Sequence, residues 1–250
     1  MTNISWHHHY IPEFYLNGFT NDLNRFYIYL VKQDRFKKGG QLFSPQSHFF
    51  NPDANTLSTI DTQTDFLEES YSRIDDMVGK VFQKIKTSTE HKFGITGREI
   101  ALLQWFVSIL FWRLPTNEEI ISKIQKNKTL KELGLILTSM ENDQPVEDSE
   151  FDNKFKEDPN FFKFLRAWLP HATYKTIFEC NSPLTILPFP SGLPAICSDS
   201  PLILKNPDNL DLYRDDFILP LTKDKIFIRT KKLKEQIDSI VKLEIDTLIL

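Results

Sequence analysis

The chain has 250 residues, with 30 Lys and Arg against 34 Asp and Glu, a net charge of −4 and a pI near 5.9. Apolar residues at 40% and charged residues at 26% exclude a disordered chain, and 21 Phe supply enough aromatic surface for a substantial core. The acidic average argues against sequence-independent binding of DNA or RNA, which needs clustered Lys and Arg, but leaves room for a local basic cleft.

In chain order, the opening HHHYIPEFYLNGF predicts a short helix that begins at Pro12 and is ended by Gly18. The N-terminus has no basic or apolar region of the kind a signal peptide needs. Arg25 to Val31 (RFYIYLV) is aromatic and β-branched and predicts a strand. The KKGG that follows is a turn signal, QLFSPQSHFF is its candidate return strand, and Ser44-Pro45 would end that strand. Thr64 to Lys86 carries apolar residues at helical spacing, with acids first and lysines last. Thr96-x-x-Glu99 is a capping box opening a second helix, apolar nearly all round, that runs to Arg113 before Pro115. Its most apolar run, Ile100 to Leu114, falls short of the roughly 20 residues a membrane helix needs.

Thr116 to Met140 predicts a more polar helix, residues 141–158 an exposed acidic loop, and Asn160 to Leu169 a short aromatic helix. Short strand-like runs then follow at Thr173–Phe178, Leu184–Leu187, Ala195–Cys197, Leu202–Leu204, Phe217–Leu219 and Lys225–Arg229, and Lys232 to Leu250 returns to helix. Cys180 and Cys197 stand outside any CxxC or metal-type spacing and read as reduced core thiols. Helices and strands are segregated, which predicts an α+β fold: a helical N-terminal two-thirds packed on a mostly antiparallel sheet from the C-terminal third. One domain over residues 1–250, cytoplasmic and without membrane contact, is expected.

Several segments together resemble an uncharacterised, mainly bacterial family, domain of unknown function 4238. They are HHYIPEFYLNGF (His8 to Phe19), RFYIYLV with Ser44-Pro45, DFLEESYSRID (Asp65 to Asp75), WRLP (Trp112 to Pro115), ICSDSPLIL (Ile196 to Leu204) and FILPLTKDKIFI (Phe217 to Ile228). They follow the family's order and span nearly the whole chain. Members of that family usually continue past the last helix with an aromatic segment, whereas this chain stops at Leu250. The resemblance implies an architecture and candidate residues but no reaction.

Those candidates can be weighed by their chemistry. His8 and His9 precede Pro12; from a strand, neighbours face opposite sides, but from an irregular segment both could reach one site, one as general base or ligand and the other as its orienter. Glu68 and Asp75, seven residues apart on one helix, share a face with their Cα atoms about 10 Å apart. Arg113 ends an apolar helix and needs a partner, such as Glu68 or an anionic substrate. Ser198-Asp199-Ser200-Pro201 sits between two strand-like runs and can close a turn or contact a ligand. The Lys-rich stretches 123–131 and 223–234 read as solvated helix faces. His48, His91 and His171 have no useful spacing, and there is no P-loop, GxGxxG or HExxH.

Two functions follow as expectations. One is a metal-dependent hydrolase acting on a phosphodiester, nuclease-like, in a host-defence or toxin-like setting, with nucleic acid or a nucleotide as partner. Its catalytic residues would be His8, His9, Glu68 and Asp199; Arg113, Ser198 and Tyr10 would bind substrate, and His9, Glu68 and Asp75 would hold a divalent ion. The other is a non-catalytic ligand- or protein-binding domain in which the His, Glu, Arg and Asp residues form a structural polar network.

Overall fold

In the computed structural model of the chain, residues 6–59, 61–88, 94–138, 142, 144–145, 153–175, 184–189, 195–206, 211–230 and 247–249 are described. They form an α+β fold whose helices lie mainly in the first two-thirds and whose strands pair antiparallel throughout.

The histidine-rich opening is a strand, not an irregular segment. β1 (His7–His9) pairs with β4 (Phe50–Pro52), His8 opposite Asn51. Pro12 then starts α1 (Glu13–Leu16), which tightens into a 3₁₀ turn over Asn17–Phe19. Gly18 lies within that turn and does not end the helix in a left-handed conformation. Its glycine is required by close approach, because a Cβ here would sit 2.5 Å from the Leu221 carbonyl oxygen.

The strand expected over Arg25–Val31 is shorter, β2 (Ile28–Leu30), with Phe26 held to Phe43 by an isolated bridge. Its hairpin partner is β3 (Arg35–Phe36), reached through a turn that ends at left-handed Asp34. KKGG does turn the chain, with Lys38, Gly39 and Gly40 at positive φ. The expected return strand is broken by Pro45, which opens a 3₁₀ turn over Pro45–Ser47, and its far end becomes β4.

After the hairpin of β5 (Leu57–Ser58) and β6 (Gln63–Thr64), the two clearest periodic segments form α2 (Phe66–Thr87) and α3 (Gly97–Arg113). Thr96 and Glu99 complete the capping box of α3 in both directions. α4 (Glu118–Asn127) stops well before Met140. Lys128 turns extended, Thr129 and Glu132 bond each other's backbone N–H in a second cap, and Gly134 is left-handed. Half of the expected acidic loop lies outside the described residues; of the rest, Pro145 bridges Thr138 and 153–155 are helical instead of loop. α5 (Pro159–Ala172) follows, its first turn capped by the Asp158 carboxylate.

The last third supplies β7 (Leu184–Pro188), β8 (Cys197–Ser198), β9 (Ile203–Leu204), β10 (Phe217–Thr222), β11 (Lys225–Arg229) and β12 (Thr247–Ile249). One four-stranded sheet runs β7-β11-β10-β9; a second, β3-β2-β12-β8, joins N-terminal strands to C-terminal ones. The strand expected at Thr173–Phe178 begins instead as the turn after α5, and 176–178 lie outside the described residues, as does Cys180. Thr247–Ile249 are strand where helix was expected, and 231–246 lie outside.

A continuous apolar core joins Ile11, Tyr15 and Phe19 to the inner face of α2, nearly all of α3, Leu165 and Leu169 of α5, and Leu219 and Phe227 of the first sheet. Each such buried side chain contributes about 1.5–3 kcal/mol. No helix among the described residues is long and apolar enough to cross a membrane.

Candidate functional site

The geometry around α2 follows from one buried charge. Arg113 ends an otherwise apolar helix and is 4% exposed, so its guanidinium must find partners inside the protein. Nη1 donates to both oxygens of Asp75, at 2.9 and 3.1 Å, and Nη2 donates to the His9 carbonyl. The guanidinium also lies 4.5 Å over the Tyr71 ring. Its carboxylate is therefore Asp75, not Glu68. Burial raises the Asp75 carboxyl above its usual value, the Arg113 charge opposes that rise, and Arg113 stays cationic.

Glu68 belongs to a second network. His8 is 1% exposed, and its Nδ1 accepts the Asn55 N–H at 2.8 Å. Asn55 donates through Nδ2 to Glu68 Oε2 at 2.6 Å and accepts from Arg166 Nη2 at 2.8 Å. Arg166 also donates to the Ala54 carbonyl, and Lys163 donates to the Asp53 and Thr56 carbonyls at 3.0 and 2.7 Å. The turn 53–56 is thus tied to β1, α2 and α5 by side chains. Asn55 and Arg166 were not among the expected site residues. The signal for Arg166 was a guanidinium inside the aromatic run FFKFLRAWL.

Because β1 is a strand, His9 faces the opposite way from His8. It lines an open cleft of about 590 Å³ together with Glu13, Glu68, Asp75, Asp76, Lys80 and Arg113. Phe14 and Gly79 supply an apolar part of its wall. His9 Nδ1 is 3.8 Å from Glu13 Oε1, and its Nε2 makes no hydrogen bond. Burial lowers the imidazole below its usual value, Glu13 opposes this and Arg113 adds to it.

Of the expected residues, His9, Glu68, Asp75 and Arg113 come together on this cleft. His8 lies behind its wall. Tyr10 packs edge-on against Phe49, and burial, with Asp199 adding to it, pushes its phenol up to about 12. Ser198 is buried in β8 and accepts the Ser200 N–H through Oγ at 3.1 Å, closing the turn before Pro201. Tyr10, Ser198 and Asp199 do not line the cleft. The described residues include no group of three or more His, Cys, Asp or Glu placed to hold a metal ion.

Comparison with known proteins returned one family: the model described as "Protein of unknown function (DUF4238)" matches residues 7–246. Neither the curated proteins nor the solved structures contain a match.

Proposed function

The chain belongs to the DUF4238 family of proteins of unknown function, and we propose that it is a binding domain whose acidic cleft takes a cationic organic ligand. The observation that carries this reading is the charge balance of the cleft. Asp75 already neutralises Arg113, which leaves Glu13, Glu68 and Asp76 against Lys80 among the described lining residues, with Arg166 behind Glu68 through Asn55. A phosphodiester would be repelled by this surface, whereas an ammonium or guanidinium group would be drawn in. His9 stands beside Glu13 on the same wall, and burial disfavours its positive charge. A volume of about 590 Å³ lies within the range of small-ligand sites. The networks of His8, Asn55, Glu68 and Arg166 and of Asp75 and Arg113 stiffen the wall that carries these groups. A cytoplasmic setting goes with this reading, supported by the buried free thiol of Cys197.

Calorimetric titration with spermidine, cadaverine and arginine amide tests the proposal. Saturable binding is expected, weakened at high salt and by about tenfold or more in an Asp76→Asn, Glu13→Gln double variant. Equal affinity in wild type and double variant would remove the reading.

A second reading, a hydrolase acting on phosphodiesters, is favoured by one observation: His9, Glu68, Asp75 and Arg113 reach one cleft from β1, α2 and α3. Turnover of oligonucleotides or a chromogenic phosphodiester, with or without Mn²⁺, that is lost in His9→Ala at unchanged stability would put this reading first.

A further inference from the structure

Beyond Lys80, α2, α3 and the end of α5 line a second open cleft of about 570 Å³. Its chemistry differs from that of the first. Met77, Leu102, Trp105 and Tyr174 supply apolar and ring surface, Lys80 and Arg98 supply two cations, and among the described residues no carboxylate lines it.

The rings are held in place from behind. Trp105 meets His171 edge-on at 5.2 Å, His171 stacks on Trp168 at 6.4 Å, and Tyr174 meets Tyr213 edge-on at 5.4 Å. Met77 and Tyr174 are nevertheless 45% and 43% exposed, and both face this concavity. Single exposed apolar side chains are ordinary, but several converging on a concave surface mark a binding site. Neither Lys80 nor Arg98 makes an ion pair among the described residues. Glu99, the acid next to Arg98, is taken by Lys84 and by the Thr96 cap.

We propose that this second cleft binds a planar aromatic anion, its ring against Trp105 and Tyr174 and its negative charge between Lys80 and Arg98. Trp and Tyr faces receive a flat ring in offset or edge-to-face contact. A guanidinium matches a carboxylate or phosphate in two parallel hydrogen bonds, and a nearby ammonium adds a point charge. The imidazole of His171, lowered below its usual value by partial burial, completes the ring wall. Ring-plus-anion chemistry is shared by aromatic carboxylates and by nucleoside monophosphates. The inference stands apart from the cationic ligand of the first cleft, since Lys80 is the one residue common to the two linings.

The test uses the full chain. Indole-3-acetate and adenosine monophosphate are titrated in, with tryptophol and adenosine as neutral counterparts, and binding is read by tryptophan fluorescence and saturation-transfer NMR. Saturable binding of at least one anion is expected, weaker by about tenfold or more for its neutral counterpart and in Arg98→Gln. Trp105→Leu is expected to remove the ring-dependent part. Arg98 is exposed, so its variant should keep the fold, and a thermal melt verifies this. Binding of only one anion identifies the source of the ring; binding of both assigns recognition to ring and charge alone. No saturable binding of either anion, equal binding of the neutral counterpart, or binding unchanged in Arg98→Gln would overturn the proposal.

Discussion

Arg113 sets a single nitrogen, Nη1, between both carboxylate oxygens of Asp75, while its other terminal nitrogen holds the backbone carbonyl of His9. One side chain therefore fastens the end of α3 to the middle of α2 and to β1. Truncating it leaves Asp75, half-buried in the cleft wall, without its counter-charge and the His9 carbonyl without its donor. Arg113→Ala is expected to lower stability by about 3–5 kcal/mol, the usual cost of breaking a buried pair. Arg113→Lys should recover only part, because an ammonium cannot span both partners. Urea unfolding of the three proteins checks this, and a single cooperative transition is expected if residues 1–250 form one domain.

Gly18 gives a prediction of a different kind. Its Cα faces the Leu221 carbonyl so closely that a methyl group would stand 2.5 Å from that oxygen. The contact is to backbone, and the Gly18 carbonyl also accepts the Lys223 N–H at 3.2 Å. Neither side can yield without moving α1 off β10. Gly18→Ala should cost about 1–3 kcal/mol, as overpacking does, although alanine is the better helix former. A variant as stable as wild type would show that the turn can shift freely.

Gly18 also illustrates what could be read from the chain alone. Its importance was legible, but the reason was not, since a helix-ending glycine and a close-contact glycine look alike until the partner strand is placed. Elements that depend on local signals were legible: the stripe of α2, the capping box of α3 and the run Lys225–Arg229 all form as read. Elements that depend on distant pairing were not. Phe50–Pro52 goes to β1 and not to β2, and Thr247–Ile249 adds a C-terminal strand beside β2. The site divided in the same way. Glu68 and Asp75 share a helix face, so both could be placed on the cleft. Asn55, which carries no signal in the sequence, links His8, Glu68 and Arg166 through contacts across 13 to 111 positions of chain.

Acid should weaken the fold through its histidines. His48 lies against Phe43 at 4.5 Å, and burial, followed by the charges of Lys37 and Lys38, lowers its imidazole from 6.5 to about 4. His9 and His171 are also lowered, chiefly by burial. For a depressed group the unfolded chain takes the proton first. The contribution is thus complete above the ordinary value of 6.5 and is lost as pH falls through the folded-state value. His48 alone makes unfolding near pH 5 take up about one proton. Melting temperatures should fall from pH 7 to pH 5, and His48→Gln should flatten that slope. Equal slopes in the two proteins would show that His48 titrates normally in the folded state.

Lys80 separates the two clefts by sign. Among the described lining residues it is the cation without a carboxylate partner that faces Glu13, Glu68 and Asp76 on one side, and half of the positive pair with Arg98 on the other. It is exposed and makes no ion pair among the described residues, so Lys80→Gln should leave stability within about 0.5 kcal/mol of wild type. Removing its charge deepens the negative potential of the first cleft and halves the positive charge of the second. Spermidine should therefore bind the variant more tightly, and the aromatic anion less tightly, each by a few-fold at low salt. The opposite signs matter more than the sizes, because a general loss of structure would weaken both ligands together. If Lys80→Gln moves the two affinities in the same direction, the clefts are not the charge-opposed sites argued from their linings. If it moves only one, the ligand whose affinity is unchanged binds outside its assigned cleft.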